Sequence, residues 1–209
     1  MTRRVFDISQ TIRPGIPVWP GDTAFKFAET WTLDDECPVN VGSLELSTHT
    51  GTHTDAPLHY DEGGLAMAEV PIDAYIGPCI VIDATGCKQV VRPEDIAAMT
   101  PDLVERVIFK TYKKFPHNGW DSDFTAVHPD TASYLAERGC KLIGLDSPSL
   151  DPEQSKTLDC HMRVRDLGLA VLEGLVLDGV EPGAFELIAL PLKIAGADAS
   201  PVRAILRAV

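Results

Sequence analysis

No Cys-x-x-Cys pair occurs in this sequence, and its five cysteines, at positions 37, 79, 87, 140 and 160, are odd in number. That usage predicts reduced thiols in a reducing compartment rather than a disulfide framework. No stretch approaches the roughly 18 consecutive apolar residues of a membrane span. The opening MTRRVFDISQTIRPG has Asp7, Ser9 and Gln10 where a secretory signal would be apolar. Both features lead us to expect a cytoplasmic protein. Basic charge is scarce: 18 Lys and Arg stand against 31 Asp and Glu, a net charge of −13. Affinity for nucleic acids and anionic membranes comes largely from Lys and Arg, so neither is expected as a partner and a small molecule is favoured. Gly-x-Ser-x-Gly is also absent, which removes a serine-hydrolase reading.

What is present is an ordinary globular composition, 44% hydrophobic and 23% charged over 209 residues. A chain of that length buries roughly 70% of its unfolded surface and needs no staple in order to fold. Sixteen prolines and sixteen glycines are scattered without a linker or repeat, so a single domain over 1–209 is expected. Short apolar or alternating runs predict strands near Phe6–Ile8, Phe25–Phe27, Ser43–Ser47, Cys79–Ile82, Val107–Lys110, Leu142–Leu145, Ala170–Leu172 and Phe185–Leu190. Helices are predicted over Pro93–Met99, Pro129–Arg138 (closing on Gly139) and Leu158–Leu167 (closing on Gly168). More strands than helices, mixed in order, give an α/β, β-rich fold class.

Three of the six histidines fall within eleven residues, His49-Thr-Gly-Thr-His53-Thr-Asp55-Ala-Pro-Leu-His59. Imidazole and carboxylate are natural ligands of zinc and similar divalent ions. A helical His-Glu-x-x-His arrangement is excluded, because Gly51, three threonines and Pro57 are poor helix material and no Glu follows His49. A turn at Gly51 after the Ser43–Ser47 strand lets the side chains converge from a loop. Such a concentration is far from the average of one histidine per thirty-five residues or so, which favours a metal site over an incidental polar turn.

HTGTHTDAPLHY resembles the H-x-G-T-H-x-D-x-P-x-H signature of the metal-dependent cyclase superfamily. Within it the chain is similar to the bacterial kynurenine formamidases, through FDISQTIRPGIPVWPGD, GLDSPSLDP and LEGLVL as well as the signature. The resemblance implies a swivelling β/β/α architecture, a homodimer, and hydrolysis of N-formyl-L-kynurenine to L-kynurenine and formate. Two further residues come under consideration. Glu173 lies in GLAVLEGLVL, an apolar run without a basic residue, where a buried carboxylate would call for a cation; the alternative is a Glu pointing out of a half-exposed strand. His161, in DCHMRVRD, is by itself either a ligand or a partly buried helix histidine.

The resemblance assigns both as ligands and implies a two-ion site. His49 and His53 would hold one ion and His161 the second, with Asp55 and Glu173 shared. Zn2+ suits this donor set, with Mn2+ compatible. The resemblance also gives His59 the role of proton donor and acceptor, and makes Trp19 an aromatic wall for the substrate ring. Cys160, Trp31 and Trp120 read as packing, His117 and His128 as solvated, and Asp146 and Ser147 as possible pocket lining. Two other readings are carried forward: a superfamily hydrolase opening an isatin or cyclic imide ring, and a non-catalytic metal-binding protein.

Overall fold

A computed structural model describes residues 4–209, so residues 1–3 of the expected domain lie outside the described residues. In chain order the strands are β1 (Val5–Asp7), β2 (Lys26–Trp31), β3 (Val41–Glu45), β4 (His53–Asp55), β5 (Ile76–Asp83), β6 (Val90–Val91) and β7 (Arg106–Lys110). There follow β8 (Ala126–Val127), β9 (Leu142–Leu145), β10 (Ala170–Leu172), β11 (Gly183–Ile188), β12 (Ala199–Pro201) and β13 (Ile205–Ala208). The α-helices are α1 (Pro93–Ile96), α2 (Pro129–Ala136) and α3 (Asp159–Leu167), and 3-10 turns span Pro57–His59 and Ile72–Tyr75.

Seven strands make one mixed sheet in the order β1-β13-β11-β5-β7-β9-β10. β5, β7, β9 and β10 run parallel, whereas β11, β13 and β1 are joined antiparallel. The parallel half was legible because its strands are covered on both faces and therefore read as continuous apolar runs. Val107, Phe109, Ile143, Leu145 and Val171 pack with Ile96, Leu135 and Val164 of the helices. The intervening Ile108, Leu142 and Leu172 pack into the opposite cluster with Ile8, Tyr75 and Leu187. This period-two division places the core on both sides of the sheet.

The α/β, strand-rich expectation describes the observed fold. Local boundaries differ. The first strand ends at Asp7, with Ile8 already in the core. β2 runs on to Trp31, and β3 starts two residues earlier than expected and ends at Glu45. The helix at Pro93 stops after one turn. β4, β6, β8, β12 and β13 are not among the expected strands: β4 puts His53 and Asp55 on a strand where a loop is expected, and all five are only two to four residues long, too short for a periodic pattern.

Two side chains require correction. Trp31, expected to pack, is 58% exposed, because β2 and β3 form a separate hairpin that is exposed along both strands. His128, expected to be solvated, caps α2: its Nδ1 accepts from the Asp130 amide at 3.2 Å.

Candidate metal centre

The cluster is assembled by β-pairing. β4 carries His53 and Asp55 and pairs antiparallel with β12, so that Asp55 lies opposite Ala199 and His53 opposite Pro201. On its other side, His53 and Glu173 exchange backbone hydrogen bonds, His53 N to Glu173 O at 3.1 Å and Glu173 N to His53 O at 2.9 Å. Glu173 directly follows β10, at the carboxyl end of a parallel strand where open α/β sheets place their sites. His49 sits in the preceding turn, where Gly51 takes φ +70° and supplies the left-handed step. His59 ends the 3-10 turn that Pro57 begins. His161 lies on α3, preceded by Leu158 at φ 50°, a strained backbone for a branched residue.

Two imidazole groups stand on opposite sides of a buried carboxylate pair. His53 Nε2 lies 3.6 Å from Asp55 Oδ1 and 3.4 Å from Glu173 Oε2. His49 Nδ1 lies 3.2 Å from the same Asp55 Oδ1. His161 Nε2 lies 3.5 Å from Asp55 Oδ2 and 3.3 Å from Glu173 Oε1. Asp55 therefore turns one oxygen toward His49 and His53 and the other toward His161, and Glu173 turns one toward His53 and the other toward His161. Donors about 2.0–2.1 Å from a tetrahedral ion stand roughly 3.3 Å from one another, so these separations suit metal ligation, and the donors of His53, Asp55 and Glu173 lie close enough to share an ion, as do those of His49, Asp55 and His59.

The donor chemistry fits as well. Asp55 is buried, and neither of its carboxylate oxygens has a hydrogen-bond donor. Such an orphaned charge is costly unless a cation meets it. Burial alone would raise the Asp55 carboxyl, but His161 and His49 hold it well below the usual carboxylate range. Burial and Asp55 push Glu173 up, and His161 and His53 outweigh them and hold it below its ordinary value. No Lys or Arg enters these pairs; every partner is a histidine.

The far nitrogens are fixed. His53 Nδ1 donates to the Gly51 carbonyl at 3.0 Å, and His161 Nδ1 lies 2.7 Å from Asp151 Oδ2. Asp151 also accepts from the amides of Cys160 and His161, tying the first turn of α3 to the site. Such partners set tautomer and ring direction in metal ligands. Burial lowers the His161 imidazolium, but Asp151, Asp55 and Glu173 more than offset it and leave it well above the ordinary histidine value. Burial likewise works against a charged His49, while Asp55 and Asp198 hold its pKa up at about 9.

The Cyclase family model matches residues 6–152. A kynurenine formamidase of Maricaulis maris (strain MCS10) is 53% identical over 204 residues, 98% of each chain. A solved structure described as a potential metal-dependent hydrolase with cyclase activity superimposes with TM-score 0.85 at 30% identity, covering 99% of this chain and 98% of that one. Isatin hydrolase A from Labrenzia aggregata superimposes with TM-score 0.84 at 26% identity, covering 99% and 94%. This chain belongs to the cyclase family.

In this cyclase-family chain His49, His53, His59, His161 and Glu173 line a cavity of about 320 Å³. Trp19, Val18, Trp120 and Leu158 supply apolar wall. Trp120, expected as packing, is thus a correction: it meets Trp19 edge to face at 5.4 Å and donates from its indole N–H to Glu153. A smaller recess continues past Trp120 to Tyr112, Phe115 and Asp146. Ser147 is buried and hydrogen-bonded to Thr111 and the Thr125 carbonyl, away from the main cavity lining. Cys160 packs in the core as read. His117, half exposed, pairs with Asp178.

His59 lies about one-third exposed beside the cluster, its ring 4.2 Å from that of His49. It comes within ligand range of His49 and Asp55, but its Nδ1 is taken by Asp198 Oδ2 at 3.2 Å. Sequence reasoning missed Asp198 and Asp151. Asp151 sat inside the quoted GLDSPSLDP segment without an assigned role, and Asp198 in GADAS offers only a single charge among small residues.

Proposed function

We propose that this chain is a metal-dependent arylformamidase that hydrolyses N-formyl-L-kynurenine to L-kynurenine and formate. The observation that carries the reading is the Asp55–Glu173 pair divided between His49 and His53 on one side and His161 on the other. Glu173 and the three histidines line a cavity to which Trp19 and Trp120 also contribute, with Asp55 buried directly behind them. The similarity to the Maricaulis maris kynurenine formamidase supports the substrate.

The ligands would be His49 and His53 for one ion and His161 for a second, with Asp55 and Glu173 shared; Zn2+ suits the set, with Mn2+ as the alternative. Bound divalent ions lower the pKa of water toward 7 and polarise the formyl carbonyl. The chain's own residues do the rest. Trp19 and Trp120 hold the substrate's aromatic ring and exclude water from one side of the formamide. His59 accepts a proton from the attacking water and returns it to the anilide nitrogen as the C–N bond breaks, so the immediate products are formic acid and the free arylamine, and the acid then releases its proton to solvent as formate. An aniline bearing an ortho carbonyl is a better leaving group than an alkyl amine, which suits a site with a single mobile proton carrier.

The protein is proposed to act in the cytoplasm as a homodimer. Supporting the dimer, Phe27, Trp31 and Leu44 are each more than half exposed on the β2–β3 hairpin, an apolar surface suited to a second copy. The likeness to isatin hydrolase A defines the rival substrate. Metal-loaded protein is assayed with N-formyl-L-kynurenine and isatin side by side. Chelator-sensitive release of kynurenine, with isatin much slower, is the expected result. Ring opening of isatin without kynurenine release would overturn the substrate assignment and keep the metal site.

A further inference from the structure

We propose that Asp198 is a positioning residue for the reaction, holding the His59 imidazole by Nδ1 so that Nε2 is the nitrogen left to carry the proton. This rests on the reading of His59 as the proton carrier. Asp198 is set by β12: its carbonyl accepts from the Ala56 amide at 2.7 Å, just beyond the β4 residue Asp55 and three residues before His59. Its side chain is anchored at one end, where Thr48 Oγ1 donates to Oδ1 at 2.8 Å. The other oxygen, Oδ2, lies 3.0 Å from His49 Nε2 and 3.2 Å from His59 Nδ1. One carboxylate oxygen thus fixes two imidazoles with different tasks. Having given Nε2 to Asp198, His49 has Nδ1 for Asp55 and an ion. His59, having given Nδ1, has Nε2 for the substrate.

Without that carboxylate the His59 ring has nothing among the hydrogen bonds of the described residues to fix it. Neutral imidazole in water favours the tautomer protonated at Nε2, the wrong one for accepting a proton there. A carboxylate behind a catalytic histidine corrects this tautomer in other hydrolases, where exchanging it for an amide preserves geometry and sharply lowers turnover. Asp198 differs from such carboxylates in also holding a ligand histidine, so base and metal geometry are coupled through one side chain.

The test combines kinetics at saturating metal with nitrogen NMR. Asp198→Ala and the shape-preserving Asp198→Asn are expected to lower kcat on the order of a hundredfold or more and leave KM within about twofold. In a His59→Ala background, compared at equal metal content so that any effect through His49 is removed, the same substitutions should change kcat less than about twofold, since residues that act as one unit are not additive. In ¹⁵N-histidine-labelled protein, the His59 signals should show a proton on Nδ1 in the wild type and move to the Nε2–H pattern in both variants. Metal content on the same samples separates loss of ions through His49 from loss of the proton path. Additive kinetics, or a His59 tautomer unchanged by loss of Asp198, would overturn the proposal. A fully active His59→Ala would instead overturn the role of His59 itself.

Discussion

Metal binding should be visible as stability, because the folded chain carries a buried carboxylate whose oxygens have no hydrogen-bond donor. Asp55 is 2% exposed and faces ligand nitrogens on both sides, so its replacement weakens both halves of the site together. Free Zn2+ at a hundred times its dissociation constant stabilises a folded protein by about 2.7 kcal/mol. For a chain of 150–250 residues each kcal/mol moves Tm by about 2–4 °C, so chelated wild type should gain roughly 5–11 °C. Loss of a partner that merely orients a ligand already costs 10–100-fold in affinity, and Asp55→Asn removes an anionic donor outright. A hundredfold weakening leaves only RT ln 2, about 0.4 kcal/mol, or roughly 1–2 °C at the same zinc concentration. The assay is thermal unfolding of chelator-treated wild type and Asp55→Asn across a zinc titration, with refolding checked. A wild type indifferent to zinc, or an Asn variant with the full wild-type gain, would refute the reasoning.

Gly174 is held at φ +64°, and a Cβ there would come within 2.6 Å of the Gly51 carbonyl oxygen, the group that orients His53. Gly174→Ala should therefore cost more than the 1–2 kcal/mol of a left-handed alanine and weaken zinc binding, and wild-type Tm and affinity in that variant would contradict it. Trp19→Ala should raise KM for N-formyl-L-kynurenine roughly two- to twelvefold, the value of about 0.5–1.5 kcal/mol of ring contact, read from steady-state kinetics; an unchanged KM would remove Trp19 from the pocket. Burial pushes the Asp146 carboxyl up to about 6 from 3.8, against hydrogen bonds from Thr111 and Tyr112. Between those pH values the folded chain keeps a proton that the unfolded chain has released. Asp146 therefore takes away stability as pH rises through the window, on the order of 3 kcal/mol once fully ionised. A ¹³C carboxyl titration should place its midpoint near the upper value, and an ordinary carboxylate midpoint would contradict this.

The parts that were legible in the sequence share one property: their signal is local. Leu142–Leu145 and Val107–Lys110 read as strands because burial on both faces makes each an unbroken apolar run. His49, His53, Asp55 and His59 lie within eleven residues, so their chemistry is visible together in the sequence alone. Glu173 and His161 are ambiguous in the sequence, because apolar neighbours and a helix context fit packing equally well, and only the resemblance assigns them as ligands. Asp198 and Asp151 were out of reach for a different reason. Each acts through partners brought near by pairing of β4 with β12 or by the start of α3, 139 residues away for Asp198 and His59 and 10 for Asp151 and His161. Trp31 and Trp120 show the same limit, since aromatic residues read alike whether they enter a core, a cavity wall or an exposed hairpin.

Anomalous diffraction at the zinc edge from metal-loaded crystals tests most directly whether Asp55 and Glu173 are shared between ions held by two sets of imidazoles. The predicted map has two peaks per chain, one among His49, His53, Asp55 and Glu173 and one among His161, Asp55 and Glu173. A single peak, or ions bound away from Asp55 and Glu173, would contradict it.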